Sequence, residues 1–256
     1  MRVSSLTDAK NCVLYKTNAH GNEIDISKVD VQGLHCGSGA HLLTGWINTD
    51  INPLFTIPRL NWSAGSLIEL KGDLQLYESA PEIRGHRYIF EHNEPAYFIE
   101  HDATKRFPFP DNAFKWIFSE HFIEHIPEDA AVLWLKEMRR LLAPGGVLRI
   151  STPSLEAFVR GYLEPSADFY NQHYKMLKQI SIAARPTRAF VLNQIFNWWS
   201  HKFIYDFDEI CLVATDAGFS RSQINQVDFG KGKCPELAAL DSQGHRDSSL
   251  YVEIYN

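Results

Sequence analysis

Apolar positions along the chain follow two periods. From residue 29 onward, Val29, Val31 and Leu34 lead into the turn Cys36-Gly37-Ser38-Gly39, and a short return through Leu42 and Leu43 leads to Trp46-Ile47-Asn48-Thr49-Asp50. This reads as strand, glycine turn, strand and an acidic stop. Tyr97-Phe98-Ile99-Glu100-His101 predicts a third strand ending at Asp102, residues 114–119 a fourth, and the mostly apolar 147–151 a fifth. Residues 223–229 predict a sixth. The closing 249–255 sets Leu250, Val252 and Ile254 against Tyr251, Glu253 and Tyr255, as a half-buried antiparallel strand would.

Helical spacing fills the intervals. Pro127-Glu128-Asp129 opens a helix whose Trp134, Met138 and Leu141 share a face, widened by Leu135 and Leu142, and Pro144-Gly145-Gly146 ends it. Lys136, Arg139 and Arg140 read as its solvated side. After Pro153 the pattern turns helical as far as Trp199. Asp206 with Glu209 caps a helix over 207–217, and Gly218 supplies its left-handed end. Residues 54–96, with Phe55, Trp62, Tyr77, His86, Tyr88, Phe90 and His92, read as a helix and loops covering one sheet face. Their sharper reading is a substrate wall of Trp62, Tyr88 and Phe90. Strands alternating with helices make this an α/β chain.

The first turn carries chemistry. Glycines at a strand's end admit a ligand close to the backbone, because a Cβ there would stand in the way. Asp50, at the end of the neighbouring strand, offers two acceptor oxygens suited to the paired hydroxyls of a ribose. A dinucleotide is disfavoured: Gly37-Ser38-Gly39-Ala40-His41-Leu42 lacks a third glycine, and too few residues separate Gly39 from Asp50 for a whole helix plus a strand. A nucleoside cofactor without phosphate fits better.

From here the chain resembles the class I S-adenosylmethionine-dependent methyltransferases, in a subgroup with a shortened first helix. CGSG…GWINTDINP is similar to that family's first two motifs. Glu100-His101-Asp102-Ala103 with residues 107–114 looks like its adenine-binding segment, WIFSEHFIEHI like its fourth strand, and LKEMRRLLAPGGVLRISTPS like its helix, turn and fifth strand. The resemblance implies a Rossmann-like sheet, mostly parallel with the last strand antiparallel, and S-adenosyl-L-methionine as cofactor. It assigns cofactor binding to His35, Cys36, Gly37, Gly39, Asp50, Ile51, Asp102, Ala103 and Ser119. His35 stands where the family has a glycine and could crowd the methionine end, and Gly33 stands where an acidic residue is common. The expected organisation is an N-terminal arm, 1–28, and a methyltransferase domain, 29–256, with insertions 54–96 and 155–200 forming a substrate-side cover.

Acceptor-side candidates are His121 and His201, since a neutral imidazole is a suitable base near pH 7. His201 lies in a His-Lys-Phe…Tyr-Asp run that resembles the pocket border of similar enzymes, and the Glu124-His125 pair is read as ordering a turn. The same stretch spells His121-x-x-Glu124-His125, the inverted zinc-hydrolase motif, which requires a helix that Pro127 leaves no room for. A third reading, a catalytically lapsed cofactor-binding module for a protein partner, follows from His35 and the shortened helix.

Composition bounds the rest. With 256 residues, 45% hydrophobic, the chain can bury a large core, and a net charge of −6 gives no footprint for nucleic acid. Cys12, Cys36, Cys211 and Cys234 show neither metal-finger nor redox spacing, so reduced thiols in the cytoplasm and no metal are expected. No apolar run spans a bilayer. The expected activity is methyl transfer to a hydroxyl or amine of a small molecule or glycan. Neither O- nor N-transfer, nor any oligomeric state, is specified.

Overall fold

The computed structural model describes residues 11–16, 31–39, 41, 43, 45–51, 68–69, 74–76, 86–92, 94–164, 167–180 and 184–256. Its strands are β1 Asn11–Lys16, β2 Gly33–Cys36, β3 Trp46–Asp50, β4 Ile68–Glu69, β5 Leu74–Leu76, β6 His86–His92, β7 Glu94–Glu100, β8 Phe114–Glu120, β9 Leu142–Pro153, β10 Ile224–Val227 and β11 Ser249–Tyr255. The helices are α1 Glu128–Leu141, α2 Leu155–Leu163, α3 Ala167–Ile180, α4 Arg188–Asn197 and α5 Phe207–Asp216. Contacts divide the chain into two compact units, one of Met1–Glu120, Lys136–Leu148 and Tyr255–Asn256, the other of His121–Leu135 and Arg149–Ile254.

The first unit holds the parallel strands. β2 pairs in parallel with both β3 and β8, and β3 pairs in parallel with β7. The order β8-β2-β3-β7 therefore aligns four carboxyl ends at one edge. Leu34, Ile47, Ile117 and Phe118 from these strands are buried, as parallel strands require.

Beyond β7 the unit departs from expectation. Residues 54–96 do not supply a covering helix among the described residues. They supply β4, β5 and β6, with β6 antiparallel to β7 and β1 antiparallel to both β5 and β6. The arm therefore contributes a strand. The physical reason is legible in Tyr88-Ile89-Phe90, a β-branched and aromatic run too short for a helix. Trp62 lies outside the described residues.

Arg140, expected on a solvated face, is instead drawn inward. Its guanidinium bonds Glu137 at 2.5 and 2.9 Å, and the main-chain carbonyls of Phe109 and Phe107 at 2.8 and 3.2 Å. Glu137 Oε1 accepts from Phe107 N at 2.7 Å. This lattice pins the loop that buries Phe107 and Phe109.

Gly33 has a steric cause. A Cβ there would lie 2.4 Å from the Trp116 carbonyl oxygen and 2.5 Å from the Trp46 ring. Backbone cannot yield as a flexible side chain can, so Gly33→Ala is expected to lose about 3 kcal/mol of stability, read as a lowered urea midpoint at unchanged slope.

In the second unit, α2, α3 and α4 share a core of Phe158, Tyr170, Leu177, Val191 and Ile195, joined by Ile204. Ser154 and Thr187 cap α2 and α4 by accepting from Ala157 N and Phe190 N. Asp206 accepts from Glu209 N at 2.9 Å to open α5, and Gly218 takes φ +98° beyond its end. β10 and β11 pair antiparallel. Leu250 through Ile254 are all buried, so β11 is not half-exposed as its alternation suggests. Glu253 is buried because Arg149 meets it at 2.9 Å.

Candidate functional site

The glycine corner lies wholly in the first unit. Register places Cys36 beside both Thr49 and Ser119, and Asp50 beside Glu100. Just past β2, Gly37 and Gly39 take φ +66° and +50°, left-handed values that glycine adopts without penalty. Ser38 N donates to Thr49 O at 2.9 Å, and Gly39 N donates to Asp50 Oδ2 at 2.9 Å. Asp50 thus fixes the turn while remaining part-exposed at the strand's end.

His35 does not crowd this corner. Its ring is buried 5.3 Å from Phe118, with Nδ1 3.0 Å from Asn48 Oδ1. Asn48 also accepts from Leu43 N and donates to the Leu43 and Trp46 carbonyls. The pair therefore braces the short return between β2 and β3. Cys36 points its thiol at Met138 Sδ, 3.7 Å away, so only its backbone is available to a ligand.

At the end of β7, Asp102 Oδ1 accepts from Thr104 N at 2.9 Å and Thr104 Oγ1 at 2.7 Å. Burial pushes its carboxyl up, but these bonds and the Lys105 charge outweigh burial and hold it below the ordinary value. With Oδ1 committed, a ligand contact falls to Oδ2. His101 N donates to Asp50 O at 2.8 Å, tying this segment to β3. Ala103 is buried, and Ile51 is 64% exposed. The hydroxyls of Ser38 and Ser119 are buried without a hydrogen-bond partner. Orphaned hydroxyls beside a glycine turn, an acidic strand end and an exposed apolar side chain match the polar and ring parts of a nucleoside with a charged amino-acid tail.

The histidine cluster lies wholly in the second unit. Ile123–His125 forms a single 3-10 turn and His121 takes φ +50°, so the His121-x-x-Glu124-His125 stretch is not an α-helix. The spacing rule by which histidines four apart share a face of a helix therefore does not apply here. His121 Nε2 lies 2.7 Å from Ser249 Oγ, its Nδ1 lies 3.4 Å from Glu124 Oε1, and its ring stacks on His245 at 3.9 Å. Burial first, then the neighbouring histidines, hold His121 well below its ordinary value, which keeps the ring neutral.

Glu124 is fully buried. Its Oε2 accepts from Thr152 Oγ1 at 3.0 Å, whereas Oε1 has no hydrogen-bond partner. Burial raises its carboxyl to about 8, and burial lowers His125 to about 4. His201 comes from far along the sequence to stand edge-on to His125 at 4.9 Å. Lys202 N donates to Glu124 O at 2.6 Å, which fastens the segment. Sequence spacing could not have joined His201 to His125, nor supplied His245 and Ser249. The one usable signal was an acid in the apolar run Phe122-Ile123-Glu124-His125-Ile126. Arg246 lies over Phe229 and beside Asp247.

No helix among the described residues is long and apolar enough to cross a membrane. The family model described as a methyltransferase domain matches residues 80–150. Solved structures similar to the chain include S-adenosylmethionine-dependent methyltransferases from three organisms. That of Archaeoglobus fulgidus is 12% identical over 90% of this chain and 87% of its own, with a TM-score of 0.42. That of Mesorhizobium loti is 14% identical over 89% and 93%, with a TM-score of 0.44. That of Aquifex aeolicus is 12% identical over 94% and 93%, with a TM-score of 0.38. No curated protein matches.

Proposed function

We propose that the chain is a class I S-adenosylmethionine-dependent methyltransferase, in keeping with the methyltransferase-domain match over residues 80–150, and that it methylates a hydroxyl or amine of a small molecule or glycan. The observation that carries this reading is the corner in which Asp50 holds Gly39 N beside two orphaned hydroxyls. S-adenosylmethionine, the cofactor, supplies when bound an electrophilic methyl group on a sulfonium. Asp50 would accept from the ribose hydroxyls, Asp102 Oδ2 from the adenine amine, and the Ala103 backbone would meet the ring edge, with Ile51 against its face. The backbone of residues 36–39 and the hydroxyls of Ser38 and Ser119 would hold the methionine part.

His121 and His201 serve the acceptor. Neutral His121 would take the acceptor's proton at Nε2, now turned toward Ser249, when the acceptor's oxygen or nitrogen accepts the methyl group and S-adenosylhomocysteine leaves with the electron pair of the broken carbon–sulfur bond. Holding the acceptor in line supplies much of the acceleration, so the base adds to the rate without being indispensable. Absence of basic clustering and the net charge of −6 favour a small acceptor over nucleic acid.

The test is calorimetric titration with S-adenosylhomocysteine, followed by an acceptor screen with labelled methyl donor. Micromolar binding and a labelled product support the reading. Absence of binding defeats it, and tight binding with no product from any acceptor favours a cofactor-binding module for a protein partner. Once an acceptor is found, His121→Gln is expected to lower kcat about 100-fold while S-adenosylhomocysteine affinity stays unchanged.

A further inference from the structure

We infer that Glu124, His125 and His201 form a binding site for one divalent transition-metal ion of the zinc type. One ligand atom from each residue lies within 4.8 Å of the other two. The motif spacing did not indicate this set, since His121 is not in it and His201 comes from a separate segment. It also stands apart from the methyl-transfer reading, because metal binding can be measured without cofactor or acceptor.

Proximity alone would be weak support; the way each donor is held is stronger. His201 Nδ1–H donates to Ile195 O at 2.6 Å, which fixes the neutral tautomer and leaves the Nε2 lone pair for a metal. His125 places Nε2 3.9 Å from Glu124 Oε1. A backbone carbonyl held by one ring nitrogen, as His201 has it, is an outer-shell arrangement of metal-ligating histidines. Glu124 Oε1 is the second, independent sign: a fully buried carboxyl oxygen with no hydrogen-bond partner, while Oε2 is anchored by Thr152. An unpartnered buried acceptor is costly and asks for a cation.

The backbone is committed to the arrangement. Trp199 and Ser200 both take left-handed φ, +62° and +63°, conformations that non-glycine residues enter at a cost. They deliver His201 to the turn of His125, and Lys202 N and Phe203 N both close on Glu124 O. Two imidazoles and one carboxylate suit a borderline ion and exclude calcium or magnesium, which take oxygen ligands. Three protein donors leave a fourth position for water or an oxygen of the acceptor. Loading would draw the donors from the present spacing to roughly 3.3 Å apart, the tetrahedral value for bonds of about 2.0–2.1 Å.

The experiment titrates chelator-treated intact protein with zinc ion in a calorimeter and follows cobalt ion by its visible absorption. One ion per chain and a tetrahedral cobalt spectrum are expected. His201→Gln and His125→Gln should each weaken zinc by more than the roughly 10–100-fold that loss of an outer-shell partner costs. His173→Gln, at a half-buried histidine bonded to Phe169 O, should bind as the parent does, and circular dichroism identifies any variant that fails to fold. Should His125→Gln alone be unfolded, His201→Gln decides. No binding by the parent, or undiminished binding by folded His201→Gln, overturns the site. Zinc binding without S-adenosylhomocysteine binding would defeat the methyltransferase reading and leave this one standing; the reverse result would defeat only this one.

Discussion

Replacing Arg149 with methionine is expected to cost about 3–5 kcal/mol of unfolding free energy, measured by urea denaturation with the slope held as a check on two-state behaviour. The guanidinium is fully buried. Nε and Nη2 make a fork to the two oxygens of Asp241 at 2.7 and 2.5 Å, Nη1 meets Glu253 Oε1 at 2.9 Å, and Nη1 also reaches the Lys231 carbonyl at 2.9 Å. The carboxylates are themselves spent on the chain: Gly230 N donates to Asp241 at 2.8 Å and Lys233 N to Glu253 at 2.9 Å. Methionine fills much of the volume but leaves two buried acids facing each other across an apolar gap, and the uncompensated charge dominates the loss. Adding Glu253→Gln to Arg149→Met should therefore recover part of the deficit. A single-variant loss below about 1 kcal/mol, the worth of an exposed pair, would show that water reaches the three groups.

The parallel strands were readable because each carries apolar residues and closes at a glycine or an acid. Leu34, Ile47 and Ile117 are buried where that pattern puts them. It also located the Gly37 to Asp50 corner, since glycines at a strand's end and an acid at the next are local signals. Interactions between distant residues were not readable. Glu253 alternates as a solvent-facing residue and is buried only because Arg149 lies beside it. Arg140 looked like a solvated charge until the carbonyls of residues 107 and 109 came into reach. His35 stood where crowding of the cofactor was expected, but strand alternation turns it onto Asn48. In each case the deciding partner is separated by many residues, and no window of periodicity contains it.

Asp50→Ala is expected to weaken S-adenosylhomocysteine binding about 100-fold. A ribose hydroxyl meeting a carboxylate makes a charge-assisted bond worth about 1.5–3 kcal/mol, and about 2.7 kcal/mol is a factor of 100. The carboxylate also braces the turn, because its Oδ2 holds Gly39 N at 2.9 Å, and Gly39 sits at φ +50° at the turn's far side. Alanine removes both the ligand contact and the brace, so the heat of binding should fall with the affinity as the turn loses its preformed shape. Asp50→Asn separates the two roles. The amide oxygen can still accept from Gly39 N, which preserves the turn, while the charge and one acceptor are lost, so affinity should fall by roughly 10-fold. Equal losses in the two variants would assign the whole effect to ribose recognition. An alanine variant that bound like the parent would mean that the cofactor does not use this strand end, and the reading of the corner would fall with it.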